Sequence, residues 1–320
     1  MEKNANILVA HDFSNGSNCA LDYGIEFAVE NKANLHFLHV EVLYGSTNFP
    51  GQINKTKAQL FREALQADIE KSIEKQGFKK SEIESISYTI LQDVAAAPAI
   101  IEYCKHNKID LVVLGTHGRR GLTRKIMGSV AEEVVRLAPC TVFTVTEELE
   151  FLSLAERLNT IAVPFDFSNH AFLSLSYAKE LAASFSATID VIHVVEEKLH
   201  PSFYHADIPS IYINQPNLQE KILTEIQKIY ANLPGPEVEA TFTILSGHPV
   251  KEIVNCTKTK GHDLIVISTH GLAGLDRAVL GSVAERVVRL ATCPVITVKD
   301  RLTSQKPYSS FTENTQAAAS

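Results

Sequence analysis

What the chain lacks narrows its function first. Its five cysteines, Cys19, Cys104, Cys140, Cys256 and Cys293, are scattered singly, with no C-x-x-C pair and no metal-ligand spacing. Disulfides are therefore not expected, and a cytosolic, free-thiol protein is. There is no long run of Lys and Arg, and the formal net charge is −7, which argues against a nucleic-acid face. No apolar stretch reaches membrane-spanning length, and the start, MEKNANILVAHD, has no secretory hydrophobic region, so a cytoplasmic protein without a membrane partner is expected. Catalytic patterns are missing as well. No nucleophile elbow, no outstanding carboxylate pair and no forced Ser-His-Asp order can be found, so no catalytic residue is named.

What is present is a repeat. Residues 110–145 and 263–298 align without a gap, and 23 of the 36 positions are identical. Both copies carry THG, Gly-Leu, an Arg, GSVAE, VVRLA, a Cys and a closing V-x-T-V. The unit is far longer than a solenoid repeat, so each copy marks a domain. At 320 residues, 45% hydrophobic and 21% charged, the chain has the composition of a soluble globular protein with room for two domains. The expected bounds are 1–147 and 158–300, with a charged connector over 146–160 and a frayed tail over 301–320.

Strand and helix patterns alternate within each copy. In the first, NILVA (6–10), LHFLHVEV (35–42), 84–91, 110–115 and 141–145 read as strands; 17–31, 58–76, 95–106 and the segment from Ser129 read as helices. The second repeats this from Ile161. Such alternation predicts an α/β fold of right-handed β-α-β units, two doubly wound domains in tandem, each with a five-stranded parallel sheet. Ligands of such sheets sit beyond the carboxyl ends of the strands, where the strand order reverses.

Two loops in each copy have the chemistry for that place. The first is HDFSNG, which follows the first strand and carries Asp12; its counterpart carries Asp166. The second runs from Gly115-Thr-His-Gly118 to Gly128-Ser129, with glycines that allow close approach to the main chain and a helix start whose amides suit an anion. Either glycine could instead serve packing alone, and either Asp could be a plain helix-entry residue. His117 and His270 inside the THG turns read as rings bonding nearby backbone. His193, His200, His205 and Asp207 are too irregularly spaced for a metal site, so no metal ligand is named. Phe203, Tyr204 and Tyr212 read as a lid or as a contact between the halves.

These residues resemble the universal stress protein family: an Asp after strand one, His-Val at the end of strand two, and G-x2-G-x9-G-S after strand four, twice over. The resemblance implies a strand order of 3-2-1-4-5 and an adenine nucleotide, ATP or AMP/ADP, with Mg a further option. It also implies pairing of the last strands of two units, here the two halves of one chain as an intramolecular pseudo-dimer, with a homodimer of the whole chain also open. Carried over by position, Asp12 meets the ribose or the phosphate–metal region and Val40 offers backbone to adenine. Gly115, Gly118, Gly128, Ser129 and Val130 hold phosphates and ribose. The second-half counterparts are Asp166, Val194, Ser268, Gly271, Gly281 and Ser282. Ser268 departs from the first glycine of the pattern, and Arg119, Arg120, Arg124 and Lys125 give way to Leu272, Ala273, Asp276-Arg277 and Ala278. The first half is therefore expected to be the more competent site. The function expected is a stress-response nucleotide-binding regulator, with a nucleotide-free scaffold and a slow ATPase as rivals.

Overall fold

The computed structural model describes residues 5–43, 55–116, 127–146, 154–196, 217–268 and 281–299. In the first half the elements are β1 (Asn6–Ala10), α1 (Asn15–Asn31), β2 (Asn34–Val42), α2 (Lys55–Lys75), β3 (Ser85–Asp93), α3 (Ala96–His106), β4 (Leu111–Gly115), α4 (Ser129–Leu137) and β5 (Thr141–Val145). A short helix, α5 (Leu154–Arg157), lies in the connector. The second half runs β6 (Thr160–Pro164), α6 (Asn169–Phe185), β7 (Thr188–Glu196), α7 (Leu218–Asn232), β8 (Ala240–Gly247), α8 (Pro249–Lys260), β9 (Leu264–Ser268), α9 (Ser282–Leu290) and β10 (Val295–Val298).

The central strands form because they are apolar on both faces, as parallel strands covered by helices must be. Leu111, Val112, Val113 and Leu114 of β4 are all buried, and so are all five residues of β5. Helix α4 buries only Ala131, Val134 and Val135, one stripe at helical spacing, and leaves Ser129, Glu132 and Arg136 to solvent.

Among the described residues the ten strands belong to one sheet of order β3-β2-β1-β4-β5-β10-β9-β6-β7-β8. Each half has the expected 3-2-1-4-5 order with parallel neighbours. The halves meet through β5 and β10, which pair antiparallel with Ile296 opposite Phe143. Two hydroxyls reinforce this seam: Thr144 Oγ1 donates to Val295 O at 3.1 Å, and Thr297 Oγ1 donates to Val142 O at 3.2 Å. Both cores run through it. One face collects Ile7, Phe27, Phe143, Leu175 and Val266, and the other Leu8, Val112, Val142, Ile265 and Val287.

Further contacts tie the halves together. Lys299 Nζ, just past β10, donates to Arg136 O and Ala138 O at the end of α4, at 3.0 and 2.6 Å. Arg157 Nη1 donates to Tyr23 Oη on α1 at 3.0 Å. Cys104, Cys140 and Cys293 are buried thiols. Among the described residues no helix is long and apolar enough to cross a membrane.

Candidate functional site

The strand order puts β1 beside β4, with Ile7 opposite Leu111 and Val9 opposite Val113. The chain leaves these two strands toward opposite faces. Helix α1 packs into the core holding Ile7 and Phe27, and α4 into the core holding Leu8 and Val112. The two exits thus diverge at the point where a doubly wound sheet binds ligands. The same divergence recurs at β6 and β9.

On the β1 side the turn is tightly specified. Ser14 caps α1, its Oγ accepting from Ser17 N at 3.2 Å. Asp12 Oδ1 accepts from Ser14 N at 3.1 Å, and Phe13 between them adopts φ +62°, a left-handed conformation unusual for an aromatic residue. The second half is built alike: Asp166 Oδ1 accepts from Ser168 N at 3.0 Å, Ser168 Oγ accepts from Ala171 N, and Phe167 has φ +63°. Both Asp residues thus shape a helix entry with one carboxylate oxygen.

On the β4 side Thr116 is buried, and its N–H and Oγ1 both donate to Val145 O on β5. Gly128 N then donates to Thr116 O at 2.7 Å, so the two ends of the intervening loop are stapled together. Helix α4 starts at Gly128 with no side-chain cap, and α9 starts the same way at Gly281. Ser129 and Val130 are exposed at that start, as is Ser282 in the second half. The contrast with α1 and α6, which are capped by their own serines, is the main feature of the site. Amides of an uncapped first turn are orphan donors with partial positive charge.

Gly115 has a different reason to be glycine from the one its sequence suggests. Its φ is not in the left-handed region. A Cβ there would lie 2.6 Å from Gly16 C and 2.8 Å from Gly16 O, so the end of β4 rests directly on the first turn of α1. In the second half Ser268 replaces Gly115 and His170 replaces Gly16, so both small residues are exchanged together.

Val40 and Val194 lie near the ends of β2 and β7, half-buried. Leu38 O accepts from His11 N, and a parallel strand turns the peptide groups of alternate residues to the same side. Val40 therefore directs its N–H and C=O past the end of β1, toward that point of divergence. Val194 is related to Phe165 and Ile192 in the same way. The preceding histidines act as braces: His39 Nδ1 donates to His11 O at 2.8 Å and His193 Nδ1 to Phe165 O at 2.7 Å. His193 is thus committed to the backbone.

Gly118 and Gly271 lie outside the described residues, as do His117, His270, His200, His205, Asp207, Phe203, Tyr204, Tyr212 and the charged positions Arg119, Arg120, Arg124, Lys125, Asp276 and Arg277. Among the described residues no group of three His, Cys, Asp or Glu side chains could hold a metal ion. His11, Gly16 and Thr116 complete the site; they lie inside the HDFSNG and THG stretches that mark the two loops in the sequence, but nothing in those stretches singles them out as contacts.

The profile of the universal stress protein family matches residues 3–146 and again 158–299. The chain is similar to universal stress protein A homolog 1 of Coxiella burnetii, 36% identical over 141 residues, 43% of this chain and 94% of that protein. A universal stress protein of Methanocaldococcus jannaschii is 34% identical over 139 residues, 43% of this chain and 81% of its own length. Among solved structures, a universal stress protein from Archaeoglobus fulgidus has the same fold, with a TM-score of 0.65, 20% identity, and 92% of this chain and 98% of that one covered. With the family profile matched twice, over 3–146 and 158–299, and the 3-2-1-4-5 strand order present in each half, the chain belongs to the universal stress protein family as a tandem member.

Proposed function

We propose that this protein binds an adenine nucleotide, ATP or AMP, in the crevice between the β1 and β4 exits, and that nucleotide state alters its interaction with a partner in the stress response. The observation that carries the reading is the uncapped start of α4 at Gly128, beside a sheet switch point. The amides of Ser129 and Val130 would take phosphate oxygens there. Asp12 would meet the ribose or phosphate side, and the peptide groups of Val40 the adenine edge. Gly118 belongs to the same phosphate loop. Mg would arrive with the phosphates, since Asp12 offers a single carboxylate and the described residues hold no ready metal cluster.

The two halves are unequal in this reading. Gly115 rests directly on Gly16 in the first half where the second carries Ser268 and His170, and the cations of the first loop favour polyphosphate. The first half is the stronger site; Asp166, Val194, Gly271, Gly281 and Ser282 make the weaker one. Mass spectrometry of freshly purified, denatured protein tests the proposal, with a released adenine nucleotide as the expected result. Absence of nucleotide together with an unchanged melting temperature in millimolar Mg-ATP would reject it.

A further inference from the structure

We propose that the face formed by α4 and α9 is a contact surface for a second copy of this chain, with α4 of each copy lying on α9 of the other. This contact does not depend on bound nucleotide.

The two helices touch beside the β5–β10 seam, and each sinks one stripe into the same core: Ala131, Val134 and Val135 from α4, and Ala284, Val287 and Val288 from α9. Each helix leads straight back into the strand that follows it, and β5 and β10 are antiparallel, so the helices are antiparallel too. The last turn of α4 therefore lies beside the first turn of α9. Lys299, just past the end of β10, reaches Arg136 O and Ala138 O at that end. The outer side of the pair is apolar at both ends. Val130, Leu137 and Leu290 are three of the six large apolar side chains exposed among the described residues, and all three fall within two nine-residue helices. Single exposed apolar residues need no partner, but several gathered on one face mark a contact.

Charge says which partner. The helices read SVAEEVVRL and SVAERVVRL and differ at one position, Glu133 in α4 against Arg286 in α9. Glu132, Glu133 and Arg136 leave α4 acidic, whereas Glu285, Arg286 and Arg289 leave α9 basic. A second copy can stack on this face about a two-fold axis in two ways. With the axis across the helices, α4 meets α4, and Glu133 faces Glu133 while Arg286 faces Arg286. With the axis along the helices, α4 meets α9, and Glu133 of each copy faces Arg286 of the other. The apolar ends meet in either case; in the second, Val130 lies opposite Leu290, and Leu137 opposite the half-buried Val283. Like charges set face to face disfavour the first arrangement, so the second is selected, and it closes as a dimer. Only a chain whose halves differ can stack in this way. Two identical halves would present the same charge on both helices.

The test is sedimentation of the full chain across the micromolar range, comparing the wild type with Glu133→Arg, Arg286→Glu and the double variant. The wild type is expected to run as a dimer that high salt weakens. Each single reversal sets like charges face to face twice and is expected to weaken association at least about tenfold; the double variant, which exchanges the two charges, should recover it. None of these changes touches the buried stripes or Ser129 and Val130, so far-UV circular dichroism should match the wild type. A chain that stays monomeric throughout that range, a dimer indifferent to both single reversals, or a double variant no better than the singles would overturn the inference.

Discussion

Asp190 lies near the start of β7, almost fully buried, and it is held as a carboxylate by three donors. Burial alone would raise its pKa, but hydrogen bonds from His262 Nε2 at 3.1 Å, Lys260 Nζ at 2.8 Å and Thr243 Oγ1 at 2.7 Å outweigh it and hold the group well below the usual carboxylate range. At the equivalent place in the first half stands His36, with Ser87 and Tyr103 as partners and its own pKa lowered by burial. A folded-state pKa below the unfolded value of 3.8 means that Asp190 binds its proton more tightly when the chain unfolds. Its contribution to stability is therefore complete above about pH 4 and is lost as pH falls through the folded value. Asp190→Asn should lower unfolding free energy at neutral pH by about 1–3 kcal/mol, the worth of hydrogen bonds to a charged group. The variant should also lack part of the acid-induced fall in stability, which urea unfolding between about pH 3 and pH 7 would resolve. A wild-type acid slope in the variant would contradict this assignment. None of it was legible in TIDVIHVV, because the three partners are 53, 70 and 72 residues away.

At the scale of elements, the first half sets two helix starts against each other: α1 closed by Ser14 and α4 uncapped at Gly128. If the uncapped start exists to receive an anion, filling it from within should separate stability from binding. Gly128 already has N-cap dihedrals, φ −65° and ψ 147°, and a Cβ there would stand 3.2 Å from Thr116 O, a tight but small adjustment. Gly128→Asp is expected to cap α4, raising stability by about a few tenths of a kcal/mol. The same carboxylate should cut Mg-ATP affinity at least about tenfold by occupying the amides and repelling phosphate. Opposite signs in the two measurements support a ligand role; loss of both would mean that Gly128 serves packing. The elements themselves were readable from sequence because buried parallel strands are continuous apolar runs and the helices keep a 3.6 period. Their ends were less so. Helix α2 begins at Lys55, inside a stretch that reads as polar loop, since Lys55-Thr-Lys57 shows no apolar stripe. Helix α1 begins at Asn15 rather than Ser17, because the capping residue is Ser14. The need for glycine at position 115 was legible, but its cause was not: Gly16 is distant in sequence and meets it only when α1 docks against β4.

At the scale of the molecule, each half ends on a strand that would be an open sheet edge if it stood alone. An unpaired central strand with buried residues on both faces is a template for association. Here β5 and β10 cover one another, and the shared V-x-T-V pattern makes the seam nearly self-complementary, with Thr144 and Thr297 each donating to a carbonyl across it. A chain cut to residues 1–147 should therefore keep its fold but pair through β5 with a second copy, Thr144 of each donating across the new seam. Sedimentation at micromolar concentration is expected to give the mass of two such halves. Thr144→Pro should shift this to one, because proline removes a ladder donor and its ring cannot sit in a central strand. The paired halves should still be less stable than the intact chain. They lack Lys299, which satisfies Arg136 O and Ala138 O at the end of α4, and position 146, its counterpart in the repeat, is a threonine. A folded, concentration-independent monomer of the 1–147 chain would show that the antiparallel seam follows from tethering the halves rather than from the strands' own complementarity.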